Sequence, residues 1–143
     1  MNYKHHSNNI LLNLGIESLN EMQIAAQKTI LNDKNILLIS PTGSGKTLAF
    51  LLPIFEILEP EIISIQCLIL VPSRELGLQI EQVWKKMGTH YKVNMCYGGH
   101  SIDIEINNLS NPPALLIGTP GRIADEFQLA GDFTLICKYI NPR

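Results

Sequence analysis

The feature that most constrains the fold is the segment Ser-Pro-Thr-Gly-Ser-Gly-Lys-Thr at residues 40–47, which directly follows the apolar run Ile36–Ile39 and precedes a helix-forming run. Gly43 and Gly45 allow backbone angles that other residues resist, so successive N–H groups can turn inward around a phosphate. A helix that begins after the loop adds the positive end of its dipole. The alternative is a glycine-rich turn with a solvated lysine, but a strand before the loop and a helix after it favour phosphate binding.

Short apolar runs alternate with amphipathic stretches along most of the chain. The predicted strands are Ile36–Ile39, Cys67–Val71, Val93–Tyr97, Leu115–Ile117 and Phe133–Ile140, and the predicted helices are Leu48–Leu58, Leu76–Met87, Ile102–Leu109 and Ile123–Leu129. Apolar runs without two-residue alternation indicate strands buried on both faces, as in a mostly parallel sheet covered by helices on both faces. The pattern predicts an α/β fold, and a length of 143 residues fits one domain.

Two further signals lie before the first apolar run. Asn20 stands at an N-cap position with Gln23 three residues later, which predicts a helix that begins with a capping box. Gly15 is expected to end a shorter helix before it.

Composition narrows the class of protein. With 45% hydrophobic and 17% charged residues the chain is globular rather than disordered. Its apolar stretches are far shorter than the roughly 18 residues that a membrane span needs, so no membrane partner is expected. The three cysteines, Cys67, Cys96 and Cys137, are widely spaced among apolar neighbours, as reduced core thiols are. No secretory signal is visible, and a cytoplasmic location is predicted.

The charge balance bears on nucleic-acid binding. The chain has 11 Lys and Arg residues against 13 Asp and Glu, a formal net charge of −2. No global basic field is available to hold a polyanion, so any such binding must be local. The four histidines show no spacing typical of metal ligands.

The phosphate loop assigns roles to its last two residues. Lys46 would reach the β- and γ-phosphates of a nucleotide, and the hydroxyl of Thr47 would ligate Mg²⁺. Ser40 stands where the strict pattern has glycine. The predicted ligand is a nucleoside triphosphate.

Four short motifs follow one another along the chain: SPTGSGKT (Ser40–Thr47), VPSRELG (Val71–Gly77), YGG (Tyr97–Gly99) and TPGR (Thr119–Arg122). In this order and spacing they resemble the DEAD-box RNA helicases, and Leu14–Gln23 resembles the Q motif of that family. The resemblance spans nearly the whole chain. It implies a RecA-like P-loop NTPase fold and an enzyme that uses ATP with Mg²⁺ to separate short RNA duplexes or remodel RNA–protein complexes.

The resemblance also implies site residues. The nucleotide would be bound by Gln23, Ser40, Pro41, Thr42, Gly43, Ser44, Gly45, Lys46 and Thr47, with Gln23 selecting adenine and Lys46 and Thr47 serving catalysis. The backbone of single-stranded or short duplex RNA would be held by Pro72, Ser73, Arg74, Glu75, Gly98, Gly99, Thr119, Pro120, Gly121 and Arg122. Such contacts carry no base information, so binding is expected to be sequence-independent and sensitive to salt.

Each motif has a purely structural alternative. Gln23 can belong to the capping box alone, and both roles can hold together. Arg74 with Glu75 can form a surface pair, Gly98-Gly99 a simple turn, and Thr119-Pro120 a helix N-cap followed by proline. Lys85 and Lys86 are interpreted as a solvated helix face.

The chain departs from the family pattern in three ways. No aromatic residue stands at the family's spacing upstream of Gln23. Asn141-Pro142-Arg143 follows the predicted fifth strand, where the family has its Asp-Glu-Ala-Asp box, and Asp125-Glu126 lies inside a helical run and is not a substitute. The second RecA-like domain, with its arginine finger, is not in the sequence.

These departures set the expected activity. The sequence predicts a single N-terminal RecA-like helicase domain over residues 1–143, incomplete at its C-terminus, with a Q-motif region at 1–31 and a P-loop core at 36–143. Alone it would bind nucleotide and RNA weakly and would barely hydrolyse ATP. The alternative is a short, non-hydrolysing nucleotide- or RNA-binding scaffold module. A P-loop kinase or GTPase is disfavoured by the motifs around Arg74 and Arg122.

Overall fold

The secondary structure follows the predicted alternation of strands and helices. A computed structural model describes residues 3–32, 35–98 and 111–130, with side chains from residue 9 to residue 125 within those ranges. The helices are α1 (Tyr3–Leu14), α2 (Glu21–Asn32), α3 (Lys46–Ile57), α4 (Arg74–Met87) and α5 (Pro120–Ala130), and the strands are β1 (Cys67–Leu70), β2 (Val93–Cys96) and β3 (Leu115–Gly118). Gly99, the predicted helix Ile102–Leu109 and the predicted strand Phe133–Ile140 lie outside the described residues.

The three strands form one parallel sheet in the order β1-β3-β2. Leu70 and Cys96 both pair with Gly118, so the three strands end level with one another. Successive residues of β3 are buried, from Leu115 to Gly118, and side chains on the two faces of a strand alternate. This central strand is therefore covered on both faces, as its unbroken apolar run predicted.

The prediction of a strand at Ile36–Ile39 is wrong. Residues 35–41 have no regular secondary structure, and Leu37 and Ile39 are 78% and 82% exposed. A strand exists only through its ladder with a neighbour, and no described strand pairs with this segment. A run of apolar residues is typical of a buried strand, but it does not show that another strand pairs with it.

The described residues fall into two compact units. The first holds residues 3–58 with Gln82–His90, and the second holds Glu59–Glu81 with residues 91–98 and 111–130. In the first unit, α2 packs against α3, and the amide of Gln27 donates a hydrogen bond to the carboxylate of Glu56 between the two helices. Helix α3 is buried without a break from Leu48 to Ile54, as a helix that is apolar all round should be.

The chain reverses after α1 in the way that Gly15 predicted. Gly15 has φ of +68°, its N–H donates to the carbonyl of Leu12 at 3.1 Å, and the N–H of Ile16 donates to the carbonyl of Leu11 at 2.9 Å. These two bonds are those of a Schellman motif. The helix also contacts the end of α4, where Asn13 Nδ2 donates to the carbonyl of Met87 at 3.0 Å.

The second unit has its apolar cluster on one face of the sheet. The members of the cluster are Ile65, Leu68, Cys96, Leu116 and Ile123, with Leu70 packed against them. Every one of the three strands contributes to the cluster and Ile123 comes from α5, so the cluster holds this helix against the sheet. Within the described residues no helix is long and apolar enough to cross a membrane.

Candidate functional site

The phosphate loop has the backbone that its glycines predicted. Gly43 and Gly45 have φ of +81° and +86°, values that glycine adopts at no steric cost. The N–H of Ser44 closes a turn onto the carbonyl of Pro41 at 3.3 Å, and the hydroxyls of Ser40 and Ser44 lie 2.6 Å apart. Ser40 therefore contributes a bond across the loop that the glycine of the strict pattern could not make.

Helix α3 begins where the loop ends. Gly45 is its N-cap residue and provides no side-chain cap, so the first N–H groups of the helix meet no capping side chain from this position. Its carbonyl accepts the first helical bond, from Ala49 N–H at 3.2 Å. A helix N-terminus of this kind favours an anion through its N–H groups and its dipole.

The loop also holds the lysine that should meet the phosphates. Lys46 Nζ donates to the carbonyls of Ser40 and Pro41, both at 2.6 Å. The ammonium thus lies over the loop, within reach of any anion bound there. The hydroxyl of Thr47, next along α3, has no hydrogen-bond partner among the residues that the structure describes. This arrangement fits a phosphate group together with a hard cation, because Thr47 offers an oxygen ligand of the kind that Mg²⁺ takes.

Helix α2 supports the loop from its first turn. The N–H of Gln23 donates to Asn20 Oδ1 at 2.9 Å, and Gln23 Oε1 accepts from the N–H of Asn20 at 3.0 Å. This is the reciprocal capping box that the sequence predicted. The same two side chains reach the loop, since Asn20 Nδ2 donates to the carbonyl of Ser44 at 3.1 Å and Gln23 Nε2 to that of Gly45 at 3.2 Å.

The capping role of Gln23 is therefore present, together with a second structural role. Its side chain is 7% exposed and joins the start of α2 to the carbonyl before α3. A primary amide has two N–H donors and two lone pairs, so one of each remains after these bonds. Selection of adenine by Gln23 stays a proposal that this geometry allows. Asn20 was predicted only as a helix cap. Its second role is the bond to the carbonyl of Ser44, and the available signal for it was the position of Asn20 three residues before Gln23.

The segments that were expected to hold RNA follow the three strands of the sheet. Residues 71–75 follow β1, Tyr97 and Gly98 follow β2, and Thr119–Arg122 follow β3. Because the strands are parallel neighbours that end level, the sheet brings the three segments to one edge. The edge is closed by Val71 N–H, which donates to the carbonyl of Gly118 at 3.0 Å, and by Thr119 N–H, which donates to that of Cys96 at 3.3 Å.

Two helices begin at this edge. Ser73 caps α4, because its hydroxyl accepts from Leu76 N–H at 3.3 Å. Thr119 precedes α5, whose first residue is Pro120, and its carbonyl accepts from Ile123 N–H at 3.0 Å. Both residues thus stand at N-cap positions, as the structural alternative for Thr119-Pro120 predicted. They do not exclude an RNA role, because the remaining N–H groups of a helix start still favour phosphate.

Arg74 does not pair with Glu75. Its guanidinium lies over the ring of Tyr97, with Cζ 4.1 Å from the ring centroid. Neighbouring residues of a helix point about 100° apart, so an ion pair between Arg74 and Glu75 is geometrically poor. Tyr97 belongs to the YGG motif but was not predicted as a site residue, and its aromatic ring beside two glycines was the available signal.

The other predicted features are placed as follows. Lys85 and Lys86 are exposed on the last turn of α4, as a solvated face should be. Asp125 is exposed inside α5 rather than at a strand end. The described residues contain no cluster of three or more His, Cys, Asp or Glu side chains that could hold a metal ion.

Comparison with known proteins agrees with this arrangement. The family model of the DEAD/DEAH box helicases matches residues 20–140. The ATP-dependent RNA helicase DHH1 of Pyricularia oryzae is 40% identical over 113 residues, which are 78% of this chain and 21% of that protein. The ATP-dependent RNA helicase DeaD of Escherichia coli K12 is 36% identical over 121 residues, 82% of this chain and 19% of that protein.

A solved structure shows the same architecture. The crystal structure of a DEAD box protein from the hyperthermophile Methanococcus jannaschii has a TM-score of 0.81 and 32% identity, and the match covers 90% of this chain and 36% of that one. The chain thus spans about a fifth of the length of the curated relatives it matches. The fold is the RecA-like α/β fold of these relatives, and the chain belongs to the DEAD/DEAH box helicase family.

Proposed function

We propose that this chain is the N-terminal ATP-binding domain of a DEAD-box ATP-dependent RNA helicase. The observation that carries the proposal is a phosphate loop that is tied to the start of α2 by Asn20 and Gln23. A loop held from a second element keeps its backbone N–H groups in place, and preorganised donors of this kind bind an anion at little cost.

In the proposed complex the residues of the loop have separate tasks. Lys46 turns its ammonium from the carbonyls of Ser40 and Pro41 toward the β- and γ-phosphates. Thr47 gives a hydroxyl oxygen to Mg²⁺, which neutralises phosphate charge when bound. Gln23 offers its remaining N–H and lone pair to adenine.

The second part of the proposal concerns RNA. Three segments at the carboxyl edge of the sheet would hold the sugar–phosphate backbone of a single strand or a short duplex. The two helix starts at Ser73 and Thr119 and the side chains of Arg74 and Arg122 provide the donors. Because such contacts ignore the bases, an oligouridylate and an oligoadenylate should bind alike.

Unwinding is proposed for a longer protein in which a second RecA-like domain completes the ATP site. The share of the relatives that this chain covers supports that proposal. We also propose that residues 1–143 form a single RecA-like domain and that the protein works in the cytoplasm. Cys67 and Cys96 are buried thiols that are in no disulfide, as is usual where thiols stay reduced; cell fractionation tests the location.

Calorimetric titration with Mg·ADP and Mg·GDP tests the nucleotide proposal. Lys46→Ala should weaken Mg·ADP binding by about tenfold or more, because a charge-assisted hydrogen bond contributes about 1.5–3 kcal/mol. Lys86→Ala removes an equal charge from the exposed face of α4 and should leave binding unchanged.

Three results would count against the proposal. Equal affinity for the two nucleotides would remove the adenine role of Gln23 and favour a different P-loop enzyme. Equal losses in the two lysine variants would show that only net charge matters. Absence of binding in a chain with native circular dichroism would overturn the nucleotide site itself.

A further inference from the structure

Arg74 and Tyr97 are joined in a way that neither motif alone indicates. Arg74 is the first residue of α4, after β1, and Tyr97 is the first residue after β2. Among the described strands, these two are the outer ones of the sheet. The guanidinium carbon nevertheless lies 4.1 Å from the centroid of the tyrosine ring, which is within the range of a cation–π contact.

The packing of α4 explains how the two residues meet. A methyl group added at Gly77 would lie 2.6 Å from Met95 Sδ and 3.2 Å from Val71 Cγ2. The first turn of α4 therefore approaches β2 closely, with the side chain of Met95 packed against Gly77. Gly77 N–H donates to the carbonyl of Ser73 at 3.2 Å, so the same turn carries Arg74 at its start.

The backbone before Tyr97 is held in the sheet. Cys96, the residue before Tyr97, is paired with Gly118 and is 3% exposed. Arg74 is exposed, and an exposed arginine loses rotamer entropy when it binds a ligand. Stacking uses the face of the guanidinium, while its N–H donors point outward in the plane.

We infer that Tyr97 is a positioning residue for RNA, which holds the guanidinium of Arg74 in place so that its in-plane N–H donors meet a backbone phosphate. The inference rests on the proposed RNA site at the carboxyl edge of the sheet. Arginine suits the role because it can stack and bind a phosphate through two N–H groups at once, whereas lysine offers a point charge.

The test is a double-mutant cycle on the full chain, with a fluorescent oligouridylate as the probe. Tyr97→Leu should weaken binding by about two- to fivefold, the value of an exposed cation–π contact. Tyr97→Phe keeps the aromatic ring and should bind with the affinity of the wild type. Arg74→Ala should weaken binding and lower the slope of log K against log salt by about 0.7, since one phosphate contact to a single strand is lost.

The decisive variant is Arg74→Ala with Tyr97→Leu. If Tyr97 acts through Arg74, the second substitution has no further effect once Arg74 is gone. Additive losses, or a Tyr97→Phe variant as weak as Tyr97→Leu, would overturn the inference and leave the RNA site standing. A wild-type chain that is folded and does not bind the probe would overturn both.

Discussion

Gly45 meets two requirements that no other residue type satisfies together. Its φ of +86° lies in the left-handed region, and a methyl group added there would lie 2.5 Å from Gln23 Nε2. Gly43 has a similar φ of +81°, but a methyl group added there would meet nothing within 4 Å. A side chain at Gly43 would therefore meet backbone strain alone, whereas a side chain at Gly45 would meet both strain and crowding.

Substituting the two glycines should show that difference. Gly43→Ala should lower the free energy of unfolding by about 1–2 kcal/mol, the cost of the left-handed conformation. Gly45→Ala should cost about 1–3 kcal/mol more, because the new methyl group displaces the amide of Gln23. Urea unfolding followed by circular dichroism measures both values, and equal losses would contradict the contact with Gln23.

At this scale the sequence predicted the backbone conformation of the loop but not the stacked pair. The glycines, Lys46 and Thr47 are neighbours in the chain, so their spacing carries the information. Arg74 and Tyr97 are brought together by the order of the strands, which depends on pairing between distant segments. The ring contact could be found only once β1 and β2 were known to flank β3.

The start of α2 combines helix capping with support of the loop. In Asn20 a different side-chain atom serves each role. Its Oδ1 caps the helix by accepting from Gln23 N–H, while its Nδ2 donates to the carbonyl of Ser44. A residue with a hydroxyl can replace the first contact but not the second.

Two substitutions at Asn20 test that separation. Asn20→Ala should lower the free energy of unfolding by about 1 kcal/mol through loss of the cap and should also weaken Mg·ADP binding. Asn20→Ser should recover the stability, because serine is a good N-cap, but not the affinity. Titration calorimetry and thermal unfolding provide the two readouts. Full recovery of affinity in Asn20→Ser would show that the bond to Ser44 does not support the loop.

The end of β3 and the first turn of α4 each contain a crowded glycine. A methyl group at Gly118 would lie 2.9 Å from the carbonyl oxygen of Cys96 and 2.6 Å from Ile123 Cγ1. Neither neighbour can move freely, since one is backbone and the other is buried. At Gly77 the nearest neighbour is the flexible end of Met95.

Alanine should therefore affect the two positions differently. Gly118→Ala should cost about 1–3 kcal/mol of stability through overpacking. Gly77→Ala should change stability by less than about 1 kcal/mol, because alanine is a better helix former than glycine by about that amount and Met95 can move aside. Guanidinium unfolding compares them, and a larger loss at Gly77 would contradict this account.

The prediction of the strand Ile36–Ile39 failed because a strand needs a partner to pair with. Ile36–Ile39 and Leu115–Ile117 look alike in sequence, as short apolar runs before a turn. The second lies between two parallel neighbours, and its central residues are buried. The first has no ladder within the described residues, so its apolar side chains stay exposed. Local composition does not contain the identity of a partner strand.

At the scale of the whole molecule, the described residues form two compact units, whereas length predicts one domain. Helix α4 supplies residues to both units, with Arg74–Glu81 in one and Gln82–Met87 in the other. Trp84, the single tryptophan of the sequence, is 1% exposed and belongs to the first unit. The three strands belong to the second.

If the chain is one domain, it should unfold in a single step. The fluorescence of Trp84 and the far-ultraviolet circular dichroism should then give the same midpoint in urea, as two-state unfolding requires. A fluorescence midpoint that differs from the circular dichroism midpoint would show that the units unfold separately.

The position of Lys46 makes nucleotide binding an exchange reaction. Its ammonium already has two carbonyl acceptors, those of Ser40 and Pro41, and a phosphate must replace them as its partner. The heat released on binding is then a difference between two sets of strong bonds, smaller than the number of new contacts suggests. An arginine at this position would leave its carbonyls less readily, because its planar fork holds several acceptors at once.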